Sequence, residues 1–218
     1  DEICKKAEQA VDSDKNYIIL TDRGITKDKA PIPSLLAVSA VHHYLIDKKK
    51  RLQIDIVIET AEAREVNHFA LLFAYGASIV NPYMALAVVN NLVKEKKLLL
   101  DYETAEKHYI KALHKGILKV MSKMGTSTLR SYRAAQIFEC VGLNKEVINN
   151  YFEDTVSRVE GIGLKEIAEE ALASHKKAYS ETNEDYMPET YGFYKYRYKG
   201  EEHAWNPESI AYLQQAVK

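Results

Sequence analysis

The chain has 218 residues, of which 46% are hydrophobic, enough for one large domain with a real core. Thirty basic residues stand against thirty-one acidic ones for a formal net charge of -1, a balance that gives no global attraction to nucleic acid or to an anionic membrane. No apolar run reaches the roughly 18–20 residues of a membrane helix, and the two cysteines, Cys4 and Cys140, exclude a disulfide framework or a cysteine-rich metal site.

The opening "DEICKKAEQAVDSDKN" reads as the tail of a helix, and its lack of a methionine suggests a fragment of a longer protein. "YIILTD" is a short apolar run bounded by polar residues, as in a buried strand. "RGITKDKAPIPS" follows as a loop, and Ser34 is placed to cap a helix whose Val38, Val41 and Leu45 share a face. That helix runs out into the solvated stretch "DKKKR". "IDIVIET" is a β-branched strand, apolar on both faces. The next helix is expected to open on Glu62, Arg64 and Glu65, to carry Val66, Phe69, Ala70 and Phe73 on one side, and to close at Gly76. "SIVNP" is a third strand. Strands alternating with helices at this pitch predict an α/β fold, a short parallel sheet of βαβ units with right-handed crossovers.

Beyond Met84 helices dominate. "MALAVVNNLVKEKKLLL" and "YETAEKHYIKALHKGILKVMSKM" read as two of them, "GTSTLRS" as a loop or very short strand, and "YRAAQIFECVGL" as a helix closed by Gly142. Asn144 caps a short helix, "VEGIG" is a turn, and an amphipathic helix follows with Leu164, Ile167, Ala171, Leu172 and His175 on one face. These elements form a body over 1–180. A polar link, "SETNEDYMPET", leads to a tail over 181–218, with a β-hairpin in which Tyr194, Tyr196 and Tyr198 alternate with Lys195, Arg197 and Lys199 around a Lys199-Gly200 turn, and then a C-terminal helix.

Several groups invite chemistry. Glu59 ends a parallel strand, where ligands gather and a general base could sit. The same position, with Thr60 and Glu62, also suits the start of a helix, whose dipole favours acidic side chains. Nothing nearby reads as a nucleophile. His42 and His43 are adjacent on a helix and point about 100° apart, so they do not share one metal. His42 falls on the core face. His68 has Leu72 at i+4, not a second ligand. "SKMGTSTLRSYR" carries a glycine, hydroxyls and Arg130 and Arg133 at a helix entry, which could hold an anion or a phosphorylated ligand, although it lacks the spacing of a nucleotide loop. The tyrosine-rich tail could be a stacking or interaction surface.

Four blocks, "IPSLLAVSAVHHYL", "ETAEAREVNHFALLFAYGASIVNPY", "YIKALHKGILKVMSKMGTSTLRSYRAAQIFECVGL" and "HAWNPESIAYLQQAV", closely resemble the large subunit of glutamate synthase, in order from about Thr21 to the end. They are similar to the later part of its central domain, between the glutamine amidotransferase domain and the FMN-binding domain. The resemblance implies a parent enzyme that makes glutamate from glutamine and 2-oxoglutarate on FMN, with an iron–sulfur cluster and electrons from NAD(P)H through a partner subunit, or from ferredoxin. It implies a cytoplasmic scaffold between the two active domains that helps wall the ammonia path, with no catalytic residue and no cofactor of its own. Within it, Ser127, Thr128, Ser131 and Arg133 are the first candidates for contact with the path or a neighbouring domain, a choice made from the polar loop alone. A separate small α/β enzyme or binding protein for a phosphorylated ligand at 125–133 is the competing expectation. Glycines that the resemblance leads one to expect are replaced at Ala61, Ala74 and Ala134, and a histidine is replaced at Asn67.

Overall fold

The computed structural model describes residues 2–179, 192 and 196–217. They belong to two units, 1–179 and 180–218. In the first, helix α1 (Glu2–Asp12) precedes strand β1 (Tyr17–Thr21), α2 (Ser34–Asp47), a 3-10 turn at Arg51–Gln53, β2 (Asp55–Glu59), α3 (Val66–Ala74) and β3 (Ile79–Asn81). The three strands form one parallel sheet in the order β1-β2-β3, with Ile19, Val57 and Ile79 in register. Successive parallel strands joined through helices are βαβ units, as the alternation of patterns predicts.

Side chains alternate across the sheet. Ile18, Leu20, Ile56, Ile58 and Val80 turn to one face, where they meet two apolar clusters. One joins Cys4, Ala7 and Val11 of α1 to Val41 and Leu45 of α2. The other brings Val38, Phe69, Ala70 and Leu72 against Leu113, Ile117 and Met121 of a long helix, α5 (Tyr102–Lys123), reached through α4 (Tyr83–Lys94). Ile56 and Ile58 are almost wholly buried, each a contribution of about 1.5–3 kcal/mol. On the other face Tyr17, Ile19 and Ile79 stay 62%, 56% and 58% exposed. Among the described residues of this unit the sheet is therefore covered on one side only, although parallel sheets are normally covered on both.

Helices α3 and α5 meet at a glycine. A Cβ on Gly116 would stand 2.3 Å from Val66 Cγ2, so only glycine lets α5 approach this closely.

After a four-residue helix, α6 (Leu129–Tyr132), the structure departs from two expectations. "YRAAQIFECVGL" is not a helix: Ala134 and Gln136 take positive φ, and the chain then enters strand β4 (Glu139–Leu143). The expected turn "VEGIG" is strand up to Ile162, in β5 (Val156–Ile162), which is parallel to β4 and joined to it by α7 (Lys145–Tyr151). A Cβ on Gly161 would lie 2.3 Å from the Gly142 carbonyl oxygen, so these glycines mark a close approach of two strands. Asn144 caps α7 as expected, accepting from Val147 N at 2.9 Å. The amphipathic helix is α8 (Leu164–Ala178), whose Ile167 packs on the Val147, Ile148 and Phe152 cluster.

In the second unit α9 (Pro207–Ala216) is capped by Asn206. Gly200 N donates to Arg197 O at 2.9 Å, forming the expected turn, with Lys199 at positive φ. The described residues on either side of this turn, Tyr196 and 201–203, are not strand. Tyr194 and Lys195 lie outside the described residues.

Candidate functional site

The carboxyl ends of β1, β2 and β3 bring Thr21, Glu59 and Asn81 into one row, because their registers coincide. Glu59 Oε2 accepts from Thr21 Oγ1 at 2.8 Å, and Oε1 accepts from Asn81 Nδ2 at 3.1 Å. Arg23 Nε lies 2.8 Å from Oε1, and its guanidinium sits 4.0 Å from the centre of the Tyr83 ring. The Arg23 and Thr21 hydrogen bonds hold the Glu59 carboxyl below its usual range. One residue on, Asp22 Oδ2 accepts from Thr60 Oγ1 and from Ala61 N, both at 2.8 Å, while Oδ1 is buried without a partner. Burial, and then the neighbouring Asp22 carboxylate, push the Tyr83 phenol up to about 12.

This corner has the place of an active site but not its freedom. Both Glu59 oxygens are engaged in ties between strands, and an ionised carboxylate so held is a poor proton acceptor. Nor do Glu59 and Glu62 open a helix. Residues 60–65 form a loop, and α3 starts only at Val66. Glu62 instead reaches across to α2, where Oε2 accepts from Ser34 N at 2.7 Å and from Ser34 Oγ. Ser34, expected to cap α2 itself, gives its hydroxyl to Glu62 because the carboxylate offers a charged acceptor at the helix's positive end.

The loop at 125–133 is self-contained. Thr128 Oγ1 accepts from Ser131 N at 3.2 Å and shares a 2.8 Å hydrogen bond with Ser131 Oγ, capping α6. Ser127, Thr128 and Ser131 are exposed together, whereas Arg133 is half-buried with Nε unpartnered, on the side of His42 and Arg51. The structure thus separates Arg133 from the three hydroxyls, and nothing in this loop supports a site for a phosphorylated ligand.

His42 is a core histidine. Its Nδ1 accepts from Arg51 Nε at 2.8 Å, which leaves the ring proton on Nε2, a buried atom without a partner. Burial, then the Arg51 charge, push its pKa down to about 3. The His42 and His43 rings are nearly perpendicular, at 83°, and His43 Nδ1 faces Glu153 instead, 3.9 Å away. His68 Nδ1 accepts from Arg64 N at 3.2 Å. Cys4 and Cys140 lie in different clusters, burial raising the pKa of each thiol. Among the described residues no group of three or more His, Cys, Asp or Glu could hold a metal ion. The sequence reading missed Arg51, taken as the end of a solvated run. It is buried and also donates to the carbonyls of Ile54 at 2.6 Å and Gly76 at 2.7 Å. No local pattern distinguishes it from its lysine neighbours.

With this geometry in view, the family model described as the glutamate synthase central domain matches residues 1–144. The chain belongs to the glutamate synthase central-domain family. It is 45% identical over 215 residues to the glutamate synthase [NADPH] large chain of Bacillus subtilis (strain 168), covering 98% of this chain and 14% of that one. It is 42% identical to the glutamate synthase [NADH] of Schizosaccharomyces pombe, covering 99% and 10%, and 39% identical to the chloroplastic ferredoxin-dependent glutamate synthase of Spinacia oleracea, covering 99% and 14%. This central domain therefore spans about one-seventh or less of these relatives. Among solved structures, a flavocytochrome b2 variant with benzoylformate shares the fold at a TM-score of 0.50 and 13% identity, over 69% of this chain and 38% of that one. No helix among the described residues is long and apolar enough to cross a membrane.

Proposed function

We propose that this central domain is a scaffold within a glutamate synthase large chain, a cytoplasmic enzyme that forms two glutamates from glutamine, 2-oxoglutarate and reductant. It holds the amidotransferase and FMN-binding domains at a fixed separation and helps wall the path of ammonia between them. The observation that carries this reading is the state of Glu59. The carboxylate best placed for chemistry spends both oxygens on Thr21, Arg23 and Asn81. FMN and the iron–sulfur cluster then bind elsewhere in the parent, which takes electrons from NAD(P)H through a partner subunit or from ferredoxin. Ser127, Thr128 and Ser131, with exposed hydroxyls on one loop, together with the half-buried Arg133, are the proposed contact with the path or a neighbouring domain.

The test compares the intact gene product with the 218-residue chain. A product several times longer that makes glutamate, beside a silent 218-residue chain, supports the scaffold. FMN binding and turnover by the 218-residue chain alone would overturn it.

A further inference from the structure

Among the described residues the sheet stops at β1, yet β1 is not built as an end. In its pairing with β2, Asp55 N donates to Asn16 O at 2.9 Å and Asp22 N donates to Glu59 O at 3.3 Å. In a parallel ladder the residues facing one neighbour alternate with those facing the other. Asn16, Ile18, Leu20 and Asp22 therefore serve β2, and the N–H and C=O groups of Tyr17, Ile19 and Thr21 point to the open side. Natural edges are blunted by proline, by a bulge or by inward charges. This one carries none of these: it is the regular five-residue run "YIILT" in unbroken register.

Beside that edge lies a cleft of about 570 Å³. Ile3 and Ala7 of α1 form one wall, Ile25 and Ile32 of the following loop another, and Ile18 and Leu20 the floor. The lining is mainly apolar, with Lys6, Asp22 and Lys29 among it. It suits the hydrophobic side chains of a strand on the helix-covered face, not a small polar ligand.

The position of α1 says which strand belongs there. It packs beside α2 on the same face of the sheet, as a crossover helix leading into β1 would. Strand order follows chain order from β1 to β3, so a right-handed crossover ending at β1 starts from a strand on β1's open side. We infer that the segment immediately preceding α1 in the parent large chain forms a parallel strand against β1, hydrogen-bonded to Tyr17, Ile19 and Thr21. This rests on the scaffold reading, since it needs the longer parent that the relatives have. A second copy of this chain is the competing occupant, but a two-fold axis would pair the two β1 edges antiparallel, leaving the crossover at α1 without its first strand.

Hydrogen exchange resolved at single amides tests it, on the intact gene product and on the 218-residue chain. The mass of the gene product is read first: a product of only 218 residues overturns both this inference and the scaffold reading. With a longer product, the 218-residue chain should exchange quickly at Tyr17, Ile19 and Thr21 and slowly at Ile18 and Leu20. In the intact product all five should be slow, the first three by roughly a hundredfold or more. Equal, fast exchange at the three amides in both proteins overturns the inference and leaves the scaffold standing. Protection in the 218-residue chain that grows with its concentration assigns the edge to a second copy and overturns it too.

Discussion

Arg51 Nε donates to His42 Nδ1 at 2.8 Å, and both side chains are buried where α2, the 3-10 turn and the end of α3 converge. The guanidinium serves as a clamp, since its other nitrogens hold the Ile54 and Gly76 carbonyls. Gly76 completes the fit. A Cβ there would stand 2.5 Å from the His42 ring, and φ is +121°, so the position admits only glycine.

The pair makes stability depend on pH. The folded chain refuses a proton on His42 until about pH 3, whereas the unfolded chain accepts one near 6.5. Between those values the unfolded state binds more protons, so stability is full above the window and falls as pH falls through it. Urea unfolding of His42→Leu and the parent sequence at about pH 7 and about pH 5 should show roughly 2 kcal/mol of pH-dependent loss in the parent that is missing from the variant. An equal loss in both would exclude His42 as the source.

Arg51→Ala should cost about 3–5 kcal/mol, because it strips donors from two carbonyls and from the imidazole at a buried site. Lys48→Ala, at a nearby exposed position, gives the control and should cost far less. Comparable midpoints in denaturant for the two variants would contradict the clamp.

Ala134 sits at φ +56° and its N–H donates to Ala74 O at 2.8 Å, so the left-handed conformation is fixed by a backbone tie. Ala134→Gly should raise stability by about 1 kcal/mol, the left-handed penalty less the extra entropy of an unfolded glycine. Thermal unfolding reads the sign, and a lower Tm would show that the tie does not strain Ala134.

Gly116→Ala tests the α3–α5 contact. Helix propensity alone favours alanine by about 1 kcal/mol, but the added Cβ meets Val66. Overpacking of this kind costs about 1–3 kcal/mol, so the single variant should be destabilised and the double variant with Val66→Ala should recover. Stabilisation by the single change would mean that Val66 moves aside freely.

Glu62→Ala removes the acceptor from Ser34 at the start of α2, a loss of about 1 kcal/mol typical of a missing cap. Under the proposed scaffold role, glutamate formation by the intact gene product should persist with its KM unchanged. Loss of turnover without loss of stability would restore Glu62 to the chemistry.

The sequence by itself determined the first half of the fold. The apolar runs at 17–22 and 54–60 and the helical stripe from Val66 to Phe73 name their elements because a short apolar, β-branched run suits a strand and a 3.6-residue stripe suits a helix. His42 was legible as a core residue for the same reason. The family was legible in long collinear blocks. Only tertiary structure decided the rest. "ECVGL" and "VEGI" are strands because each pairs with the other, and neither carries a local signal that outweighs its glycines. Glu62 leaves the helix it was expected to open because Ser34, 28 residues away in sequence, offers a better partner. Arg51 looks like its lysine neighbours until the chain folds carbonyls and an imidazole around it. Period is a property of neighbours along the chain. Pairing, clamping and capping across elements depend on which distant groups the fold delivers, and no window of sequence contains both partners.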